Sequence, residues 1–392
     1  MNKWKKVKLK DYIEQIRGVS YKPEDATDVP TEGYCPILRA NNIKDNVLIF
    51  DDFVYVKENK IKKEQMIQKG DVIVCASSGS KELVGKAAQA KKDLQMSFGA
   101  FCKGVRAKNI LLEYLGNYFK SPIYRKTISR LSAGANINNI KSEHLDNLEI
   151  PLPAMEEQKK IAARLDAVSD LLAKQKQLLS EQDNLIQSTF YDMFGDPLKN
   201  NKGWKIEKLG NLFSVSSGGT PDTKNKEYWE NGDISWIGSN LCQNVILTKN
   251  DGKFITQKGL ENSSAKIISA GSVLIALVGA TIGKTALLTF ETTTNQNIAA
   301  IDVIKNENFS SYFIFYLIQA LYQEFLNIGS GKFKMANLTF VRNLKIPIPP
   351  LELQEKFAAI VEQIESEKSK IKSAIAETQT LFNALMSEYF EE

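Results

Sequence analysis

Three short patterns in the chain contain the residue types that catalysis uses. Gly279–Thr285, GATIGKT, approaches the Gly-rich loop that cradles nucleotide phosphates. That loop is GxxxxGK[ST], however, and here one residue is missing between the glycines. The matching stretch of the first half, Ser78–Ala87, keeps only Gly85-Lys86, so the expectation is a Gly-rich β-turn that presents Lys284. Pro221-Asp222 with Asp251-Gly252-Lys253 imitates the acidic-plus-lysine pattern of nucleases, but the first half has no counterpart. His144 is the single histidine, which argues against a zinc site or a His-based triad. It lies beside apolar positions and is expected to be structural. There is no GxGxxG and no Asn-Pro-Pro-aromatic segment of the kind used on a flipped base. No paired constellation is left to carry catalysis.

Binding chemistry is better represented. Polar turns mix Lys and Arg with Asn, Ser, Thr and aromatics throughout. Asn, Gln and Arg read base edges bidentately, while Lys and Ser/Thr hold phosphates. On that basis the candidate DNA-binding residues of the first half are Lys22, Arg39, Asn41, Asn42, Ser78, Lys81, Lys86, Asn136 and Asn138. Those of the second half are Thr220, Lys224, Lys226, Trp236, Ser239, Asn240, Lys284, Asn295, Gln296, Lys332 and Lys334. The bland reading is that these are ordinary polar loops. The net charge of +5 is compatible with nucleic acid and does not by itself argue for it.

The elements that must position these turns occur twice. Ile150–Leu165 aligns without a gap on Ile346–Val361, a shift of 196 in a chain of 392 residues. Ile150, Pro151, Pro153, Glu156, Gln158, Lys160, Ala162 and Ala163 equal Ile346, Pro347, Pro349, Glu352, Gln354, Lys356, Ala358 and Ala359. A repeat this long is a whole domain rather than a solenoid unit. Trp4, Leu9 and Gly18 match Trp204, Leu209 and Gly218 at a shift of 200, so short insertions separate the two copies.

Each half reads as α+β. Short β-rich pieces such as Pro36-Ile-Leu, Asp71–Cys75 and Ser272–Ala276 lie between Gly/Asn/Ser turns. One amphipathic patch follows in each half, Leu111–Leu131 and Tyr312–Ile328, then a Gly/Asn loop. IPLP and IPIPP are extended exits, because Pro disfavours helix both for itself and for the residue before it. From there a 4-3 spacing begins: Ile161, Leu165, Val168, Leu172, Gln175, Leu179, Gln182, Ile186, Thr189, Met193. The second copy gives Phe357, Val361, Ile364, Lys368, Ile371, Ile375, Thr378, Phe382, Leu385 and Tyr389. This is a coiled-coil seam on a helix roughly 58 Å long.

Connectivity favours an antiparallel helix pair, because a parallel one requires the second domain to span the rod backwards. The expected fold is therefore two α+β domains in direct repeat, separated by two long antiparallel coiled-coil helices, a pseudo-two-fold dumbbell. Its expected segments are residues 1–152 and 199–348 for the two heads, and 153–198 and 349–392 for the helices.

The ordinary apolar and charged fractions suit a water-soluble chain with two or three cores. Apolar runs such as Gly271–Ala280 fall well short of a membrane span of ~20 residues. The basic N-terminus has no apolar core, so no signal peptide is expected. Cys35, Cys75, Cys102 and Cys242 are scattered without a CxxC pair, which fits reduced thiols in a cytoplasm.

This organisation resembles the specificity subunits of type I restriction–modification systems. The resemblance rests on IPLPAMEEQKKIAARLDAV and IPIPPLELQEKFAAIVEQI in direct repeat, together with GDVIVCASSGS and GSVLIALVGATIGK in the heads. It covers essentially the whole chain, and Leu353 and Glu355 are minor departures. It implies two target-recognition domains that each read half of a split, asymmetric double-stranded DNA target, with the helices as spacer. It also implies a subunit that is not itself an enzyme and needs no cofactor of its own. Two methyltransferase subunits would supply S-adenosylmethionine, and restriction subunits would use ATP and Mg. Phe190, Phe194, Met386 and Phe390 at the helix ends are the expected docking surface for those partners. The rivals are a coiled-coil scaffold whose heads bind protein and a similar chain that works without a restriction partner.

Overall fold

The computed structural model describes residues 4–80, 82–131, 138–328 and 335–391. By packing, the chain divides into two compact units, Met1–Lys176 with Ser373–Glu392, and Gln177–Lys372. The helices are α1 (Leu112–Lys120), α2 (Pro122–Leu131), α3 (Ser142–Asp146), α4 (Met155–Phe194), α5 (Leu209–Leu212), α6 (Gln257–Glu261), α7 (Ser311–Ala320), α8 (Tyr322–Leu326), α9 (Leu338–Asn343) and α10 (Leu351–Phe390). The division between the units therefore falls inside α4 and α10, so each unit combines a head with parts of both long helices.

The first unit holds a four-stranded antiparallel sheet in the order Ala87–Gln89, Val72–Cys75, Cys102–Ala107, Ile13–Arg17. Val72–Cys75 is buried along its whole length, as a central strand rich in β-branched residues should be. A second sheet runs Ser97–Phe98, Tyr34–Leu38, Val54–Lys57, Ala26–Thr27, and its first pair is parallel. The second unit has a five-stranded sheet in the order Ser214–Ser217, Ile298–Asp302, Val273–Ala276, Thr285–Leu288, Val245–Leu247. Beside it lies a three-stranded sheet, Phe254–Ile255, Ile234–Ile237, Thr293–Thr294, again with one parallel pair.

Each amphipathic patch is two helices rather than one. The first breaks at Ser121-Pro122, where Pro122 can supply no N–H to continue the ladder, and the second breaks at Leu321. The proline exits are strands with partners: Glu149–Pro151 pairs antiparallel with Lys6–Lys8, and Lys345–Ile348 with Lys205–Lys208. Each copy therefore closes on itself, its first strand clamping its last.

The repeated glutamine has a structural reason. Gln158 is buried; its Oε1 accepts from the Leu111 N–H at 2.9 Å and its Nε2 donates to the Pro153 carbonyl at 2.9 Å. Gln354 does the same in the second unit. Its Oε1 accepts from the Ser310 N–H at 3.0 Å, and its Nε2 donates to the carbonyls of Pro349 at 2.9 Å and Asn308 at 3.3 Å. Leu111 and Ser310 are the N-caps of α1 and α7. One side chain thus ties the onset of the long helix to the onset of the helix that covers the sheet.

The 4-3 seam is buried or half-buried throughout, and in the second unit the long helices run antiparallel, Asp183 meeting Lys368 and Phe190 meeting Phe357. In the first, the Arg164 guanidinium donates to the Tyr389 hydroxyl at 3.2 Å. In the second, Lys368 pairs with Asp183 and with Glu365, both at 2.6 Å. Although burial works against its charge, these hydrogen bonds raise the Lys368 pKa above its ordinary value.

The helix-end aromatics are not a docking surface. Met386 and Phe390 are buried in the first unit, where the Phe390 ring lies 5.3 Å from Tyr114 and 5.7 Å from Tyr118. Phe190 and Phe194 are buried in the second, with Phe194 4.7 Å from Phe313 and 5.4 Å from Phe357. Each ring contributes ~2–3 kcal/mol of burial to its core, which exposure to a partner would forfeit.

Replacing Gln354 by Leu keeps the bulk but strands the Ser310 N–H and the Pro349 carbonyl without partners. The expected cost is ~2–4 kcal/mol, read as a melting temperature lowered by several degrees in calorimetry. An unchanged melting temperature would contradict the role given to this side chain.

Candidate nucleic-acid interface

Five chain segments of the first unit meet at one end of its sheets: residues 17–21, 39–41, 76–79, 99–103 and 139–142. Backbone hydrogen bonds fix them to one another. The Val19 N–H donates to the Phe98 carbonyl at 2.7 Å, Gly99 N–H to Leu38 at 2.9 Å, Ala76 N–H to Phe101 at 2.8 Å, and Ile140 N–H to Ala76 at 2.7 Å. The second unit repeats the frame. Gly219 N–H donates to Thr294 at 2.8 Å, Asn295 N–H to Ile237 at 3.1 Å, Leu277 N–H to Asn297 at 2.8 Å, and Ala336 N–H to Leu277 at 2.8 Å. The matched glycines serve this frame: a Cβ on Gly18 would lie 2.1 Å from the Gly99 oxygen, and one on Gly218 would lie 2.0 Å from the Thr294 oxygen. Only glycine allows so close a backbone approach.

In the first unit the segments enclose a cleft of about 860 Å³ lined by Tyr21, Arg39, Asn41, Ser78 and Phe101 among others. Arg39 and Asn41 are both held by Asp52. The Arg39 Nη2 donates to the Asp52 carbonyl at 2.8 Å and pairs with its carboxylate at 3.0 Å, while the Asn41 Nδ2 donates to the same carboxylate at 2.7 Å. Ser78 accepts from the Ser80 N–H at 3.1 Å. A second cleft of about 460 Å³ adjoins it, lined by Arg17, Lys103, Lys141 and Ser142, with Phe101 common to both. Lys103 donates to the Ser142 hydroxyl at 2.9 Å. Burial first, and then the Arg17 guanidinium, pull its pKa below the ordinary lysine value, against Asp146. An arriving anion would relieve that repulsion.

Two candidates of the sequence reading are corrected. Asn42 is fully buried; its Oδ1 accepts from the Arg39 N–H at 2.8 Å and its Nδ2 donates to the Ile49 and Asp51 carbonyls at 3.1 and 2.6 Å. All its capacity goes to shaping the turn. Trp236 is buried, donates to the Gly219 carbonyl at 3.0 Å and packs edge-on against Trp229. It is a core residue.

The remaining candidates stand in varied places. Lys22 is exposed, 3.8 Å from Glu24. Lys86 is half-buried and lines neither cleft. Asn138 pairs through its backbone with Ser78. In the second unit the Thr220 hydroxyl donates to the Gln296 Oε1 at 2.7 Å, joining two of the segments. Asn295 accepts from the Asn297 N–H at 3.1 Å, and Ser239 and Asn240 form the neighbouring turn. Lys224 is exposed, and Lys226 pairs with Glu230 at 3.3 Å. Lys284 donates to Gln243 at 2.8 Å. Lys81, Asn136, Lys332 and Lys334 lie outside the described residues.

The catalytic look-alikes dissolve. GATIGKT is a turn between the antiparallel strands Val273–Ala276 and Thr285–Leu288, with positive φ at Gly279 and Gly283. It leads into a strand, so there is no helix N-terminus for a phosphate. Asp251 pairs with Lys253 at 3.7 Å, and Lys253 lies 5.8 Å from the Trp236 ring. His144 accepts from the Lys141 N–H at 3.3 Å, capping α3. All four cysteines are free and buried, and burial pushes the Cys102 and Cys242 thiols up to about 12. Among the described residues there is no group of three His, Cys, Asp or Glu side chains placed to hold a metal, and no helix is long and apolar enough to cross a membrane. The cleft residues missed by sequence reasoning are Phe101, Arg17 and Lys103. The available signal was the alignment of Ala100-Phe101 on Gln296-Asn297, which sets Phe101 at the edge of the same turn.

Comparison with known proteins agrees with this duplicated design. The family model for the type I restriction modification DNA specificity domain matches residues 1–181 and again 201–378. The type I restriction enzyme StySPI specificity subunit of Salmonella potsdam is 30% identical over 409 residues, covering 94% of this chain and 84% of the relative. The EcoKI specificity subunit of Escherichia coli K12 is 44% identical over 154 residues, 39% of this chain and 33% of that one. The crystal structure of a type I restriction–modification S subunit from M. genitalium covers 100% of this chain and 97% of its own at TM-score 0.60 and 17% identity. A structure bearing on complex assembly and conformational transition of the type I system covers 99% and 98% at TM-score 0.55 and 18% identity. Those two likenesses establish the fold. With two specificity domains and a relative at 30% identity matched over most of both chains, the chain belongs to the family of type I restriction–modification specificity subunits.

Proposed function

We propose that this chain is the non-catalytic DNA-recognition subunit of a type I restriction–modification complex, and that each head reads one half of a split, asymmetric target. The observation that carries the reading is one backbone frame built twice with different side chains on it. Head one offers Arg39, Asn41, Ser78, Arg17 and Lys103, and head two offers Thr220, Asn240, Asn295 and Gln296. Amides and guanidinium groups suit base edges, and ammonium and hydroxyl groups suit phosphates. Because the two sets differ, the half-sites differ. The long helices set the gap between half-sites and dock two methyltransferase subunits. With the end aromatics buried, that docking falls to exposed apolar groups such as Leu178 and Leu185, one heptad apart and 43% and 50% exposed. S-adenosylmethionine is used by the methyltransferase subunits, ATP and Mg by restriction subunits, and the assembly works in the cytoplasm.

Methylation mapping by long-read sequencing in a host that expresses the chain with its methyltransferase tests the reading. A split, asymmetric motif that vanishes when this chain is deleted is the expected result. No motif with an active partner present would overturn it in favour of a scaffold.

Neighbouring asparagines separate recognition from folding. Asn41→Ala is expected to relax or weaken the first half-site about tenfold or more and to leave the melting temperature within a degree or two. Asn42→Ala strands the Ile49 and Asp51 carbonyls and the Arg39 N–H, so it should cost ~2–4 kcal/mol of stability. Identical melting curves for the two variants would contradict this assignment.

A further inference from the structure

The repeated frame leaves Phe101 unexplained. Its backbone is fixed in the frame: the carbonyl accepts from the Ala76 N–H at 2.8 Å and the Ser77 N–H at 3.0 Å, and Cys102 N–H closes the turn onto Gly99 at 2.8 Å. The residue is, by contrast, 70% exposed, far more than any other aromatic among the described residues of the recognition segments. The turn does not require an aromatic, since the second unit makes the same bond, Leu277 N–H to Asn297 at 2.8 Å, with asparagine in this position. Phe101 lines both clefts, and it is the one aromatic residue common to the two. Arg39 and Asn41 stand on one side, and Arg17 and Lys103 on the other.

A rigidly mounted apolar ring flanked by two recesses with cationic and amide walls has the form of a wedge. The two base pairs of one step would pass into the recesses on either side, with the cations beside their phosphates. Proteins that insert Phe, Leu, Ile or Met between base pairs unstack the step and recover that cost in added contact. Specificity then arises from how readily the step deforms as well as from base edges.

We propose that Phe101 is such a wedge, entering one base step of the half-site read by head one; this rests on the DNA-recognition reading above. Head two, with Asn297 in the same place, reads its half-site without one.

The test uses the complex of this chain with its methyltransferase subunits on duplexes carrying its mapped target. 2-Aminopurine replaces adenine, one position at a time, at sites other than the methylated base. Binding by the unsubstituted complex is expected to raise fluorescence several-fold at one step of the first half-site and at none of the second. Phe101→Ala and Phe101→Asn (the residue that head two's turn already tolerates) are expected to abolish the rise and to weaken binding about tenfold, with unchanged melting temperatures. Specific binding with no bright position in the first half-site, or brightness that persists in both variants, would overturn the wedge and leave the recognition reading intact. Absence of sequence-specific binding by the unsubstituted complex would overturn the recognition reading and the wedge with it.

Discussion

The structure depends on satisfying two buried polar groups at the point where a head becomes a helix. A chain leaving a sheet through Ile-Pro-x-Pro carries carbonyls that no proline N–H can meet, and the covering helix begins beside them with an open N–H. Gln158 and Gln354 serve both with one amide each. An apolar residue there would fill the space and leave the polar groups unpaired at ~1–3 kcal/mol apiece. A shorter amide would not reach. This fixes where the long helix starts relative to α1 or α7, and so which of its faces carries the 4-3 seam into the core.

A second constraint separates scaffold from recognition. The frame holding the loops is made of backbone hydrogen bonds and of glycines at points of close approach, neither of which specifies the side chains that project outward. Ala100-Phe101 in one head can therefore answer to Gln296-Asn297 in the other with no change in the frame. Recognition can vary freely on such a scaffold as long as residues like Asn42 and Trp236, which can hydrogen-bond but serve the fold, stay in place.

Much of this was legible in the sequence, for identifiable reasons. The duplicated Pro-plus-helix boundary, the 4-3 seam and the central strands follow from periodicity and proline chemistry, which are local. The matched glycines were visible, though not why they matched. What was not legible depends on contacts distant in sequence. Met386 and Phe390 read as an amphipathic helix end with spare aromatics, because nothing local says that Tyr114 and Tyr118 lie against them. Phe190 and Phe194 were misread for the same reason, through Phe313 and Phe357. Within the site, Asn42 looked like its neighbour Asn41, and only the fold distinguishes an amide turned inward from one turned outward. Arg17 and Lys103 went unnoticed because they sit on strands rather than in turns.

The central claim is that two equivalent frames read two different sequences independently. Its most direct test exchanges residues 1–148, together with the Met386–Phe390 segment that fills their core, for the corresponding parts of another family member, followed by a map of methylation in cells. The account predicts that one half of the split motif changes to the donor's, while the other half and the gap between them stay as they were. A motif altered in both halves, or in neither, would contradict it.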